Sequence, residues 1–237
     1  MLTSTRDRVA AATGALFVVL VLVGNQISVS GTDQSAHPTG ASVLHDAAAQ
    51  AHSTPALIGF VLEFLGFMAF VVFLGYLLDL RRRTSDAGTA AVASATAVCA
   101  GLTMLIVKLA STVPVGVVLL DQAGMSPELA RALADMGTVA FVLGWLPYAV
   151  FVGAAALGLL RARLVGRPTA IIGAVAGAAG LVLALIGLDD PINGNPMAWM
   201  AGLLWTLVVS VRLAVRPGAG ARRAAEEPAT VPVPAAA

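Results

Sequence analysis

The chain has 237 residues, 58% of them hydrophobic and 11% charged, with a mean hydropathy of +0.89. Soluble domains carry about a quarter charged residues, so an ordinary soluble enzyme is excluded. A net charge of +1 leaves no basic surface for nucleic acid, and a single cysteine excludes a disulfide framework or a cysteine-rich metal site.

A helical membrane crossing needs about 20 mostly apolar residues. Six segments meet or approach that length: 9–29, 55–80, 89–114, 138–160, 169–188 and 197–215. They are rich in Ala, Leu, Val and Gly and lack the polar/apolar alternation of barrel strands. The predicted fold class is therefore all-α, a polytopic transmembrane bundle of six spans with its helical domain over 1–215.

In chain order, Arg6 and Arg8 precede span one. The apolar run through Val23 and the small residues Ser28, Val29 and Ser30 also suggest a secretory leader, but Asn25 and Gln26 interrupt that pattern and favour a retained helix. The first loop carries His37, His45 and His52, with a short helix expected over 42–52. On that helix His45 and His52 stand roughly 10 Å apart, too far for one metal ion.

Span two carries Glu63 and ends at Arg81, Arg82 and Arg83, while span three carries Cys99, read as an inert small hydrophobe, and Lys108. Ser126, Pro127 and Glu128 form a helix start for an apolar stripe through Leu129, Leu133 and Met136. Pro147 is expected to kink span four. Trp145, Tyr148 and Trp199 suit either interfacial anchoring or packing. Span five ends at Asp189 and Asp190, and beyond span six the Ala/Pro-rich stretch 216–237 reads as a disordered cytoplasmic tail.

Twelve of the 14 Lys and Arg residues fall on one side of this topology: Arg6, Arg8, Arg81–Arg83, Arg161, Arg163, Arg167, Arg212, Arg216, Arg222 and Arg223. Cytoplasmic loops accumulate such cations, so both termini are expected in the cytoplasm of a cell-membrane protein.

Phe60-Val61-Leu62-Glu63-Phe64-Leu65 in span two is echoed by Phe141-Val142-Leu143-Gly144-Trp145-Leu146 in span four. Phe67 continues in step with Tyr148, and Phe70 with Phe151. Each stretch leads through a basic turn into a small-residue helix, so spans two–three and four–five read as duplicated hairpins. The small faces Ala93/Ala97/Gly101 and Gly173/Gly177/Gly180/Ala184 place spans three and five at the bundle centre, with a homo-oligomer seam as the alternative.

Counting from the shared turn places Glu63 roughly 27 Å and Lys108 roughly 29 Å along adjacent antiparallel helices. A charge at that depth costs several kcal/mol unless paired or hydrated, so a Glu63–Lys108 ion pair is predicted. Snorkelling of Lys108 to the interface is the alternative, because Pro114 leaves the helix end open. Asn25, Gln26, Asp121, Asp189 and Asp190 are candidates for a polar outer vestibule.

The basic start, long outer loop, short helix before span four and scarcity of Lys resemble a broad group of uncharacterised bacterial multi-span membrane proteins common in actinobacteria. The resemblance covers residues 5–215 and implies neither an activity nor catalytic residues. The favoured functional expectation is a non-enzymatic membrane partner or scaffold with a dry core, no cofactor, and the lipid bilayer as its environment. The alternative is a small-solute or proton-coupled transporter using Glu63 and Lys108, which requires a water-accessible cavity near them. An enzyme or redox subunit would need a cofactor or a carboxylate/histidine cluster, and the chain has no Walker, G-x-S-x-G or HExxH motif.

Overall fold

The computed structural model describes residues 5–30, 32, 38–83, 88–186 and 197–215, and no strand occurs among them. Eight α-helices follow one another: α1 Thr5–Ser28, α2 Gly40–Ala51, α3 Thr54–Arg83, α4 Thr89–Leu120, α5 Pro127–Leu143, α6 Trp145–Arg161, α7 Arg167–Ile186 and α8 Met197–Ala214. Five apolar rods are long enough to cross a membrane: α1, α3, α4, α7 and the continuous pair α5–α6; α8 is a shorter apolar helix. The tail 216–237, His37, Asp189 and Asp190 lie outside the described residues.

Two boundaries differ from the sequence expectation for physical reasons. Pro114 lies inside α4 rather than ending it. The turn beyond it buries Val118 against Ala47 of α2 and Ala130 of α5, and this packing outweighs one missing helical hydrogen bond. The helix starting at Pro127 does not stop near Met136. It continues through Gly137 and joins span four as a rod interrupted only at Gly144.

α1 packs along α3, α3 touches α4, α4 packs along α5 and α6, α6 along α7, α7 along α8, and α8 closes on α1. Glycine makes the tightest seam: a Cβ at Gly24 would lie 2.7 Å from the Gly59 carbonyl, so only bare backbone fits where α1 meets α3. The core is aromatic, with the Phe17 ring tilted against Phe70 at 4.4 Å and Phe70 meeting Phe151 edge-on at 5.0 Å. Tyr148 lies 4.4 Å from Trp199 and exchanges a 3.0 Å hydrogen bond with Thr206.

The echoed segments sit in different hairpins from those expected. α6 packs extensively along α7, whereas α3 only brushes α4, so spans two–three and four–five are not equivalent as packed units. The equivalent units are α1 with α3 and α4 with α5–α6. In both, the echoed segment pairs with the helix before it: Gly24 abuts Glu63, while Gly144 abuts Lys108. Gly66 abuts Phe17 and Val21, while Phe151 abuts Gly101. The small faces admit close helix approach as expected, but α7 packs only along α6 and α8, so span five lies at the edge of the bundle and α6 rather than α7 is the more central helix. Gly177 meets Gly153 of α6 with a would-be Cβ 2.7 Å from its nitrogen, and Gly101 of α4 receives Leu74 and Phe151.

Candidate functional site

Several polar residues of the apolar helices gather at the end of the bundle covered by α2. Thr39 caps α2 by accepting from Ser42 N–H at 3.1 Å. Two glutamines fasten this helix across the rods. Gln50 Nε2 donates to Ser28 O at 3.2 Å, and Gln122 Nε2 donates to Ala47 O at 3.1 Å. Gly40 fits directly beneath Pro127, where a Cβ would collide with the Pro127 carbonyl.

Beneath α2, between α1, α3, α4 and α5, lies a cavity of about 580 Å³. That is within the range of about 300–1,000 Å³ typical of small-molecule sites. Its wall includes Asn25, Gln26 and Ser28 of α1, Asp46 and Gln50 of α2, and Glu63 of α3. Ser111 and Thr112 of α4 and Thr138 of α5 complete its polar lining. The apolar wall includes Phe60, Val115, Val118 and Phe141. The described lining residues thus carry two carboxylates and no Lys, Arg or His.

Glu63 is half-buried at this wall, accepting from Ser28 Oγ at 3.3 Å with the Asn25 side chain beside it. Lys108, only 2% exposed, lies in the electrostatic field of Glu63, but among the described residues no direct ion pair joins them. Lys108 Nζ instead donates to Phe141 O at 2.8 Å, over the Phe141 ring and 4.7 Å from the Trp199 ring centroid.

The reason for this partner is the broken rod. Pro147 brings no N–H for Leu143 O four residues earlier, and its ring crowds that turn, which interrupts the helix at Gly144. The helix stops at Leu143, and among the described backbone bonds linking α5 to α6 none closes on Phe141 O. In an unbroken helix Phe141 O would accept from Trp145 N–H; the break at Gly144 leaves that bond unmade, and Lys108 Nζ takes the donor's place. Gly144 admits the lysine stem, since a Cβ there would lie 3.1 Å from Lys108 Cε. Lys108 is also too deep in the lengthened α4 to snorkel past its end.

Of the five vestibule candidates, Asn25 and Gln26 line the cavity. Asp121 does not; it follows the last turn of α4, where its backbone N–H bonds Val117 O. Asp189 and Asp190 fall outside the described residues. His45 and His52 are exposed, and His45 Nδ1 approaches Asp46 Oδ1 at 3.4 Å. Among the described residues no cluster of three His, Cys, Asp or Glu groups is placed to hold a metal ion. Sequence reasoning missed Asp46, Gln50, Ser111, Thr112 and Thr138 as site residues. Their signal was available in part: Lys108, Ser111 and Thr112 are three and four apart on one helix face.

No family model, curated protein or solved structure matches this chain.

Proposed function

We propose that the chain is a six-span cell-membrane protein with both termini in the cytoplasm, and that it carries a small solute through the cavity beneath α2. Its occurrence among actinobacterial-type membrane proteins belongs to the same proposal. The basic residues Arg8, Arg82, Arg161, Arg167 and Arg212 stand at helix ends remote from the cavity, a charge distribution that supports a cavity opening outward. α1 is deeply packed, with Phe17 fully buried, which supports its retention as the first span.

The observation that carries the solute reading is the cavity reaching Glu63. A passive partner or scaffold calls for no such opening, whereas an outward-facing carrier needs a polar chamber on one side and a closed aromatic core on the other. Glu63 supplies the charge at the chamber wall, and Lys108 braces the broken rod behind it.

The test is thiol access in intact cells, starting from a Cys99→Ser background. Thr138→Cys at the cavity wall is expected to react with a membrane-impermeant maleimide, and Thr206→Cys in the aromatic core is expected to stay unreacted. Equal silence at both positions overturns the reading. With access established, vesicles containing a trapped pH dye report proton coupling. Wild type is expected to dissipate an acid pulse faster than Glu63→Gln.

A further inference from the structure

Resting on the solute-carrier reading, we infer that the cavity is a binding site for an amphipathic organic amine, its ammonium held at Glu63 and its apolar body against Phe60, Val115, Val118 and Phe141. The charge of the wall makes the first selection. Both ionisable groups among its described residues, Glu63 and Asp46, are carboxylates, and no described lining residue supplies a cation to an anionic solute. Among the described residues no cation touches Glu63 directly: Lys108 reaches it only through its field and donates to the Phe141 carbonyl, so the Glu63 side facing the cavity is left for a ligand's ammonium.

The wall's second feature selects the rest of the ligand. Phe60 and Phe141 offer ring surface, and Val115 and Val118 extend an apolar strip along α4. Aromatic faces attract ammonium groups and also pack hydrocarbon. The chain places a nitrogen of its own in this way: Lys108 Nζ rests on Phe141 with Trp199 nearby. A bare metal cation would leave the apolar strip unused, and a fatty anion would meet the Glu63 carboxylate. An amine with a small hydrocarbon body uses both parts of the wall. The cavity volume of about 580 Å³ leaves room for such a ligand with accompanying water.

The experiment is calorimetric titration of the full chain in nanodiscs with three near-isosteres: phenethylammonium, 2-phenylethanol and 3-phenylpropionate. The ammonium is expected to bind, the alcohol more weakly, and the carboxylate not at all. Glu63→Gln is expected to weaken the ammonium about thirtyfold or more, the usual scale for truncating a buried charge partner, while leaving the alcohol unchanged. Glu63→Asp keeps the charge and is expected to retain the preference for ammonium, which separates charge recognition from a folding defect.

Equal affinity for ammonium and alcohol, unaltered in Glu63→Gln, overturns the amine assignment. So does absence of binding by all three. Thiol access at Thr138 separates the two levels: a reactive cysteine without amine binding overturns only the ligand class, whereas an unreactive one removes the carrier reading beneath it.

Discussion

Lys108 and Glu63 show how much a single residue reveals and where that information ends. Two charges in apolar helices were legible because composition makes them exceptional, and counting along the helices gave their common depth. Depth does not fix the direction in which a side chain points, and the competing carbonyl at Phe141 arises only from the broken rod. The consequence is measurable in detergent unfolding. Lys108→Met strands the Phe141 carbonyl and is expected to cost about 2 kcal/mol. Glu63→Gln can keep its Ser28 contact and should unfold near wild type, and the double variant should resemble Lys108→Met. A double variant more stable than either single one would instead establish a direct pair. Gly144→Val tests the same arrangement sterically: its branched side chain enters space held by the lysine stem and should lower stability as Lys108→Met does.

At the level of whole helices, the break between α5 and α6 lies just beyond Phe141, the last residue of α5 on the cavity wall. In an ordinary helix interior, replacing proline by alanine gains about 3 kcal/mol. Pro147→Ala is expected to show no such gain. The new N–H at 147 bonds Leu143 O, and straightening the rod through Gly144 brings Trp145 N–H back to Phe141 O, taking the acceptor from the buried lysine. A melting temperature equal to or below wild type is the expected result, and a rise of the size seen for an unconstrained helix would show that the lysine does not depend on the break. An irregularity in span four was readable from Pro147, and the helix is interrupted three residues before it, at Gly144. Continuation through Pro114 was not readable, because it depends on Val118 meeting Ala47 and Ala130, residues far away in sequence. The echo around Glu63 and Gly144 was also readable, yet its partner helix was misassigned: similarity along one segment says nothing about whether the preceding or following helix supplies the close contact.

For the molecule as a whole, hydropathy made the bundle legible, and the positions of the cations made a topology arguable. Closure of the ring was not legible, because apolar faces of Ala, Val and Leu are nearly interchangeable in sequence. That closure depends on α1, which packs against both α3 and α8 and inserts Phe17 beside Phe70. Removal of 1–30, as a cleaved leader would require, takes away one side of the Gly24–Gly59 seam and opens the aromatic core where Phe70 joins Phe151. Loss of one large buried aromatic alone costs about 3–5 kcal/mol, and the remaining α8 and α3 have no direct seam comparable to either of their contacts with α1. An N-terminal epitope should therefore stay on the membrane-bound protein, and a chain beginning at residue 31 should fail to accumulate. Recovery of a stable, epitope-free protein would show instead that the other helices close the ring without α1. It would also shift the cavity, since Asn25, Gln26 and Ser28 would be missing from its wall.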